Sequence, residues 1–235
     1  MTYTDLFIDF DDTLYDTRGN AKMALHELFV HFGLGRYFGE ESEFTEPYWR
    51  ENVLLWSQYA KGEITRDYLI VERFRRPLSV GMGEENVTKE FCLEVSDWFL
   101  NCCADKPGVI EGCHELLNYL KRKGYRMHIT SNGFHEVQYR KLRASKTLDY
   151  FDTIILSEDA GSNKPSREFF DYAFRVSGAQ RGKTLMIGDN FVTDIKGAKD
   201  AGLDVMFFNA HPDEFEAPEP VNFEVNRLRD IIGIL

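Results

Sequence analysis

Leu6-Phe7-Ile8-Asp9-Phe10-Asp11-Asp12-Thr13 carries an apolar run into a cluster of acids. A short run at 6–10 that is apolar at nearly every position reads as a strand buried on both faces, the pattern of a parallel sheet. Side chains alternate along an extended segment, but a chain that turns at the strand end can aim both Asp9 and Asp11 at one ligand. Outward from this stretch lie four more short runs rich in β-formers, at 125–130, 153–157, 184–188 and 205–209. Helical patterns fall at 111–123, 134–144, 166–178 and 193–201. Such alternation predicts an α/β fold built on a doubly wound parallel sheet.

The interval 16–104 differs. It has helical periodicity throughout, with breaks at Gly33 and Gly35, at Lys61-Gly62 before the N-cap residue Thr65, and at 81–83. A four-helix cap inserted at 16–104 is predicted, leaving 1–15 and 105–235 as a Rossmann-like catalytic core. In the return linker at 105–109, Pro107 and Gly108 interrupt the helix and supply a hinge.

Ligands of α/β sheets sit beyond the carboxyl ends of the strands, so the residues that follow each run bear on function. After the first come Asp9 and Asp11: one carboxylate can attack phosphorus while the other protonates the leaving oxygen and then deprotonates water. After the second come Thr130-Ser131-Asn132-Gly133, a turn before a helix whose Ser131 hydroxyl and Asn132 amide can cradle phosphate oxygens. After the third comes Lys164, a cation for the phosphate and a neighbouring carboxylate. After the fourth comes Gly188-Asp189 through Asp194, hard oxygen donors that suit magnesium. We assign the metal to Asp9, the Asp11 backbone carbonyl and Asp189, with Asp194 and Thr13 in support. Each element alone is also an ordinary turn, helix cap, surface lysine or acid-rich helix start. Their conjunction after four successive runs points to phosphoryl chemistry. A phosphate ~4 Å from a carboxylate is opposed by roughly 4 kcal/mol per charge pair at an effective dielectric of about 20, so a metal and Lys164 are needed for attack.

Composition narrows the partners. The chain of 235 residues has a formal charge of −11, and its basic clusters at Arg73, Arg75, Arg76 and 121–123 are short, which argues against binding a nucleic acid polymer. The first ten residues lack a basic leader with an apolar core, and no apolar run approaches bilayer-spanning length. A cytoplasmic protein that does not engage a membrane, monomeric or homodimeric, is expected. Cys92, Cys102, Cys103 and Cys113 show neither a CxxC pair nor zinc spacing, and are expected to be reduced.

At Asp9-Phe10-Asp11-Asp12-Thr13, Ser131, Lys164 and Gly188-Asp189 through Asp194, the chain resembles the haloacid dehalogenase superfamily across almost its whole length. A helical insertion after the first motif is similar to that superfamily's first cap class and implies a cap that closes over the substrate. The dehalogenase branch lacks the residue at Asp11, so phosphate ester hydrolysis with Mg²⁺, or alternatively Mn²⁺, is implied. The segments LLWSQYAKGEIT (54–65), ITSNGF (129–134), FDYAF (170–174) and FFNAHPDEF (207–215) look like the pyrimidine 5'-nucleotidase branch. That resemblance implies a small phosphorylated metabolite as substrate, a nucleoside monophosphate such as dUMP or dTMP.

A sugar-phosphate phosphatase or a phosphomutase has the same four motifs, and both stay open. A non-enzymatic nucleotide sensor is disfavoured, since every catalytic position is filled. Trp49, Trp56 and Tyr59 form one helical stripe, which predicts packing within the cap in preference to stacking on a base. Phe134, just after the second motif, is the better candidate for a pocket wall.

Overall fold

The computed structural model describes residues 3–235. Its strands are β1 (Asp5–Ile8), β2 (Arg126–Ser131), β3 (Thr153–Leu156), β4 (Thr184–Gly188), β5 (Asp204–Phe208) and β6 (Phe223–Val225). They form one sheet of order β3-β2-β1-β4-β5-β6 in which every neighbouring pair is parallel. Leu6 and Ile8 of β1 join one buried cluster and Phe7 joins another; Leu185 and Ile187 of β4 part from Met186 in the same way. Strands apolar on both sides need a helical layer on each face.

The helices are α1 (Thr17–His31), α2 (Ser42–Ala60), α3 (Arg66–Met82), α4 (Lys89–Ala104), α5 (Cys113–Lys123), α6 (His135–Ala144), α7 (Ser157–Ala160), α8 (Arg167–Ser177), α9 (Gly197–Asp200) and α10 (Leu228–Ile231). Leu116, Leu117 and Leu120 of α5, with Leu228 and Ile231 of α10, cover the Leu6/Ile8 face. Phe169, Phe170 and Ala173 of α8 cover the Phe7 face.

The sequence predicts five strands. The sixth, β6, is only three residues long, has Glu224 at its centre and follows Pro218 and Pro220, so it carries no apolar run to detect. The first strand stops at Ile8 rather than running to Phe10, which makes Asp9 the first residue beyond it. The helix expected at 193–201 starts earlier, as a wide i→i+5 turn over Phe191–Lys196, and only then tightens into α9.

Two compact units divide the chain: one takes it through Thr17 together with Pro107–Leu235, and the other is Arg18–Lys106. Where the chain leaves and re-enters the first unit the two passages pair, with Ile110 N donating to Leu14 O at 2.9 Å and Asp16 N to Gly108 O at 3.2 Å. The second unit is wholly helical in its regular structure and has its own core, in which Leu25, Leu28, Phe44, Tyr48, Phe74, Val95 and Phe99 are buried. Thr65 and Thr88 start α3 and α4 by accepting the N–H of Tyr68 and Phe91, each at 3.2 Å. Trp49 packs against this core, while Trp56 and Tyr59 meet edge to face at 5.7 Å, both half-buried. All four cysteines are free. Among the described residues no helix is long and apolar enough to cross a membrane.

Ile8 lies opposite Ile129 of β2 and Ile187 of β4, so three adjacent strands run side by side to carboxyl ends at Ile8, Ser131 and Gly188 on one edge of the sheet. This shared edge brings residues far apart in sequence to one place.

Candidate active site

Beyond β1 the chain turns at once. Asp12 has φ 58°, and its N–H donates to Tyr15 O at 2.8 Å while Tyr15 N donates to Phe10 O at 2.9 Å. An aspartate tolerates this left-handed backbone better than a branched residue does. Asp9 is anchored by its own N–H to Ile187 O at 2.9 Å.

Three carboxylates and one ammonium meet there. Lys164, 1% exposed, places Nζ 2.6 Å from Asp9 Oδ1, 2.6 Å from Asp194 Oδ1 and 2.7 Å from Thr130 O, which uses all three of its hydrogens. Asp194 Oδ2 accepts the Asn190 N–H at 3.0 Å. A side chain on Gly188 would run into the Asp194 carboxylate, so residue 188 must be glycine for the two to approach. Asp189 Oδ1 accepts the Thr13 hydroxyl at 2.7 Å, and Thr13 Oγ1 accepts the Asp189 N–H at 3.1 Å.

Asn132 does something the sequence does not suggest. Its Nδ2 donates to Lys164 O at 2.9 Å and its Oδ1 accepts the Lys164 N–H at 2.8 Å. The amide therefore grips the backbone that delivers the lysine, where the sequence reading has it cradling a phosphate. Ser131, at the end of β2, accepts the Gly133 N–H at 3.0 Å on its hydroxyl oxygen. Phe134 is 2% exposed and directly precedes α6.

Carboxylate oxygens of Asp9, Asp189 and Asp194 lie within 4.8 Å of one another. Burial, reinforced by the charges of Asp194 and Asp11, pushes the Asp9 carboxyl up to about 8 in spite of Lys164. Burial, with the charges of Asp9, Asp194 and Asp12, pushes Asp189 well above the usual carboxylate range. One lysine does not balance the set. An all-oxygen, negatively charged cluster of this kind fits a hard divalent cation, which would supply the missing positive charge.

Asp11 sits in the opposite environment. Burial alone would raise its carboxyl, but the Lys141 ammonium and hydrogen bonds from Lys141, Thr17 and Gln138 outweigh burial and hold it below the usual range. Lys141 Nζ and Thr17 Oγ1 each lie 2.6 Å from Asp11 Oδ1, and the Gln138 amide donates to Oδ2. Neither Lys141 nor Gln138 stands out in the sequence, where 134–144 reads only as a helical pattern. Their spacing of three residues, placing them on one stripe just after the second motif, was the available signal.

A family model described as "Hydrolase: haloacid dehalogenase-like hydrolase" matches residues 6–202. The chain is 31% identical to the pyrimidine 5'-nucleotidase YjjG of Escherichia coli (strain K12), with 100% of this chain and 99% of that protein covered. It is 28% identical to the pyrimidine 5'-nucleotidase PynA of Streptococcus pneumoniae (strain ATCC BAA-255 / R6), over 100% of this chain and 96% of PynA. The magnesium-bound crystal structure of the HAD-hydrolase YfnB from Bacillus subtilis superposes with a TM-score of 0.86 at 28% identity, over 100% of this chain and 99% of that one.

Proposed function

The chain belongs to the haloacid dehalogenase-like hydrolases, and from that premise we propose that it is a magnesium-dependent phosphomonoesterase acting on pyrimidine nucleoside 5'-monophosphates. The observation that carries the chemistry is the meeting of Asp9, Asp194 and the Thr130 carbonyl on Lys164, with Asp189 in the same carboxylate cluster and Ser131 next in the chain after Thr130. The nucleotide assignment is supported by full-length similarity to two pyrimidine 5'-nucleotidases.

In this reading Asp9 attacks the phosphorus and takes the phosphoryl group as an aspartyl phosphate, and Asp11 gives a proton to the departing nucleoside oxygen. Asp11 then takes a proton from the water that hydrolyses the intermediate and is reset. Lys164 fixes Asp9 through Oδ1; among the described residues Asp9 Oδ2 accepts no hydrogen bond and is the oxygen left for attack. Ser131 meets the phosphate. Asp9, Asp189 and the Asp11 carbonyl would hold the cation, with Asp194 bracing Lys164. When bound, Mg²⁺ neutralises phosphate charge and makes the phosphorus a better electrophile. Asp11 is ionised before substrate binds. A phosphate dianion arriving beside it opposes Lys141 and raises its proton affinity, so Asp11 takes up a solvent proton with the substrate, and it gives back to solvent the proton taken from water once inorganic phosphate leaves.

A phosphate-release screen over nucleoside monophosphates and sugar phosphates, with and without Mg²⁺, tests the assignment. We expect dUMP and dTMP to exceed sugar phosphates by ~10-fold or more in kcat/KM, a margin that one well-shaped pocket supplies. A flat profile or a preferred sugar phosphate would overturn the nucleotide reading. Turnover that requires a bisphosphate activator would identify a mutase.

A further inference from the structure

Two side chains that take no part in the steps above reach the acid/base residue from one face of α6. Lys141 Nζ lies 2.6 Å from Asp11 Oδ1, and the Gln138 amide donates both to Asp11 Oδ2 and, at 2.7 Å, to Ser131 Oγ. Gln138 is fully buried and Lys141 is 9% exposed. Burying a long cationic side chain costs hydration and rotamer freedom, so such a lysine is rarely retained without a partner. Its ammonium also stands 5.2 Å over the Tyr15 ring. At Gly133 any Cβ would collide with the Gln138 side chain, so the turn after β2 leaves room for this glutamine.

We infer that Lys141 and Gln138 are the positioning residues of Asp11. Held through both oxygens, the Asp11 carboxylate keeps one rotation, and Gln138 ties that rotation to Ser131, so the phosphate cradle and the proton donor form one unit. In this arrangement both residues act through Asp11 and Ser131. The inference rests on the reading of Asp11 as the acid/base residue.

The test uses the full-length, Mg²⁺-loaded enzyme and two phosphomonoesters that differ in their need for a proton: dUMP, whose alkoxide is a poor leaving group, and p-nitrophenyl phosphate, whose phenolate leaves unaided. kcat/KM reports the steps up to leaving-group departure and is blind to hydrolysis of the intermediate. Lys141→Met should lower kcat/KM for dUMP by ~30-fold or more, a sizeable part of what general acid catalysis contributes, and for p-nitrophenyl phosphate by less than ~5-fold. Lys141→Arg should restore most of the loss. Equal losses on both esters would make Lys141 a phosphate-binding cation and overturn the inference, as would no loss on either. If Lys141→Met does not fold, Gln138→Met carries the same comparison with the ion pair intact. Asp11→Asn run alongside separates the two levels: if it is selective for dUMP and the α6 variants are not, only the inference fails. If Asp11→Asn itself shows no selectivity, the acid/base reading fails and the inference falls with it.

Discussion

Asp9→Asn should lose at least ~10⁴-fold in kcat while staying folded. The amide is nearly isosteric with the carboxylate, so the loss reports nucleophilicity rather than shape. Stability separates this from a structural role. Burial, with the charges of Asp194 and Asp11, disfavours the ionised form of Asp9 by more than Lys164 favours it, so a neutral amide there costs little, and Lys164 keeps Asp194 and the Thr130 carbonyl. In metal-free buffer, therefore, the Tm of Asp9→Asn should equal or exceed that of the wild type. A variant with near-normal turnover would show that the covalent reading is wrong, and a sharply lowered Tm would show that Asp9 is chiefly structural.

Chelation of divalent cations should abolish turnover, and added Mg²⁺ should restore it. The same experiment has a thermal readout with a definite sign. Asp9 is raised in the fold from the ordinary 3.8 to about 8, and Asp189 is raised as well. Across that interval the folded, metal-free chain holds protons that the unfolded chain has released, so its stability falls as pH rises. Tm in chelator should drop between about pH 4 and pH 8. Mg²⁺ binds the ionised cluster, so its stabilisation should be greatest at the alkaline end, reaching about 2.7 kcal/mol when the ion is at 100 times its Kd. A Tm indifferent to Mg²⁺ at every pH, or full activity in chelator, would contradict the metal assignment.

The sheet was readable because its strands are buried on both faces, which leaves short unbroken apolar runs such as 184–188. β6 was not, because an edge strand as short as Phe223–Val225 needs neither length nor continuous apolarity. The residues gathered around Lys164 were readable for a related reason: they lie at the carboxyl ends of the strands or in the loops that follow them, the side of a parallel sheet where ligands bind. Lys141 and Gln138 reach Asp11 from a helix, and their value depends on how α6 lies across the strand ends, which local pattern does not encode. Asn132 makes contacts that its place in the sequence does not suggest. Its type and place suit a phosphate cradle, but an amide can grip both polar groups of one residue's backbone, and here that residue is Lys164.

The account turns on a bond between phosphorus and Asp9, and Asp11→Asn offers the means to see it. With p-nitrophenyl phosphate this variant needs no acid for the first half of the reaction and lacks the base for the second. Acid quenching, borohydride reduction and peptide mass spectrometry should then find residue 9 converted to homoserine, the product of an aspartyl phosphate, after a burst of about one nitrophenol per enzyme. Nitrophenol release with no modification at Asp9 at any quench time, or with the modification on another aspartate, would contradict the account.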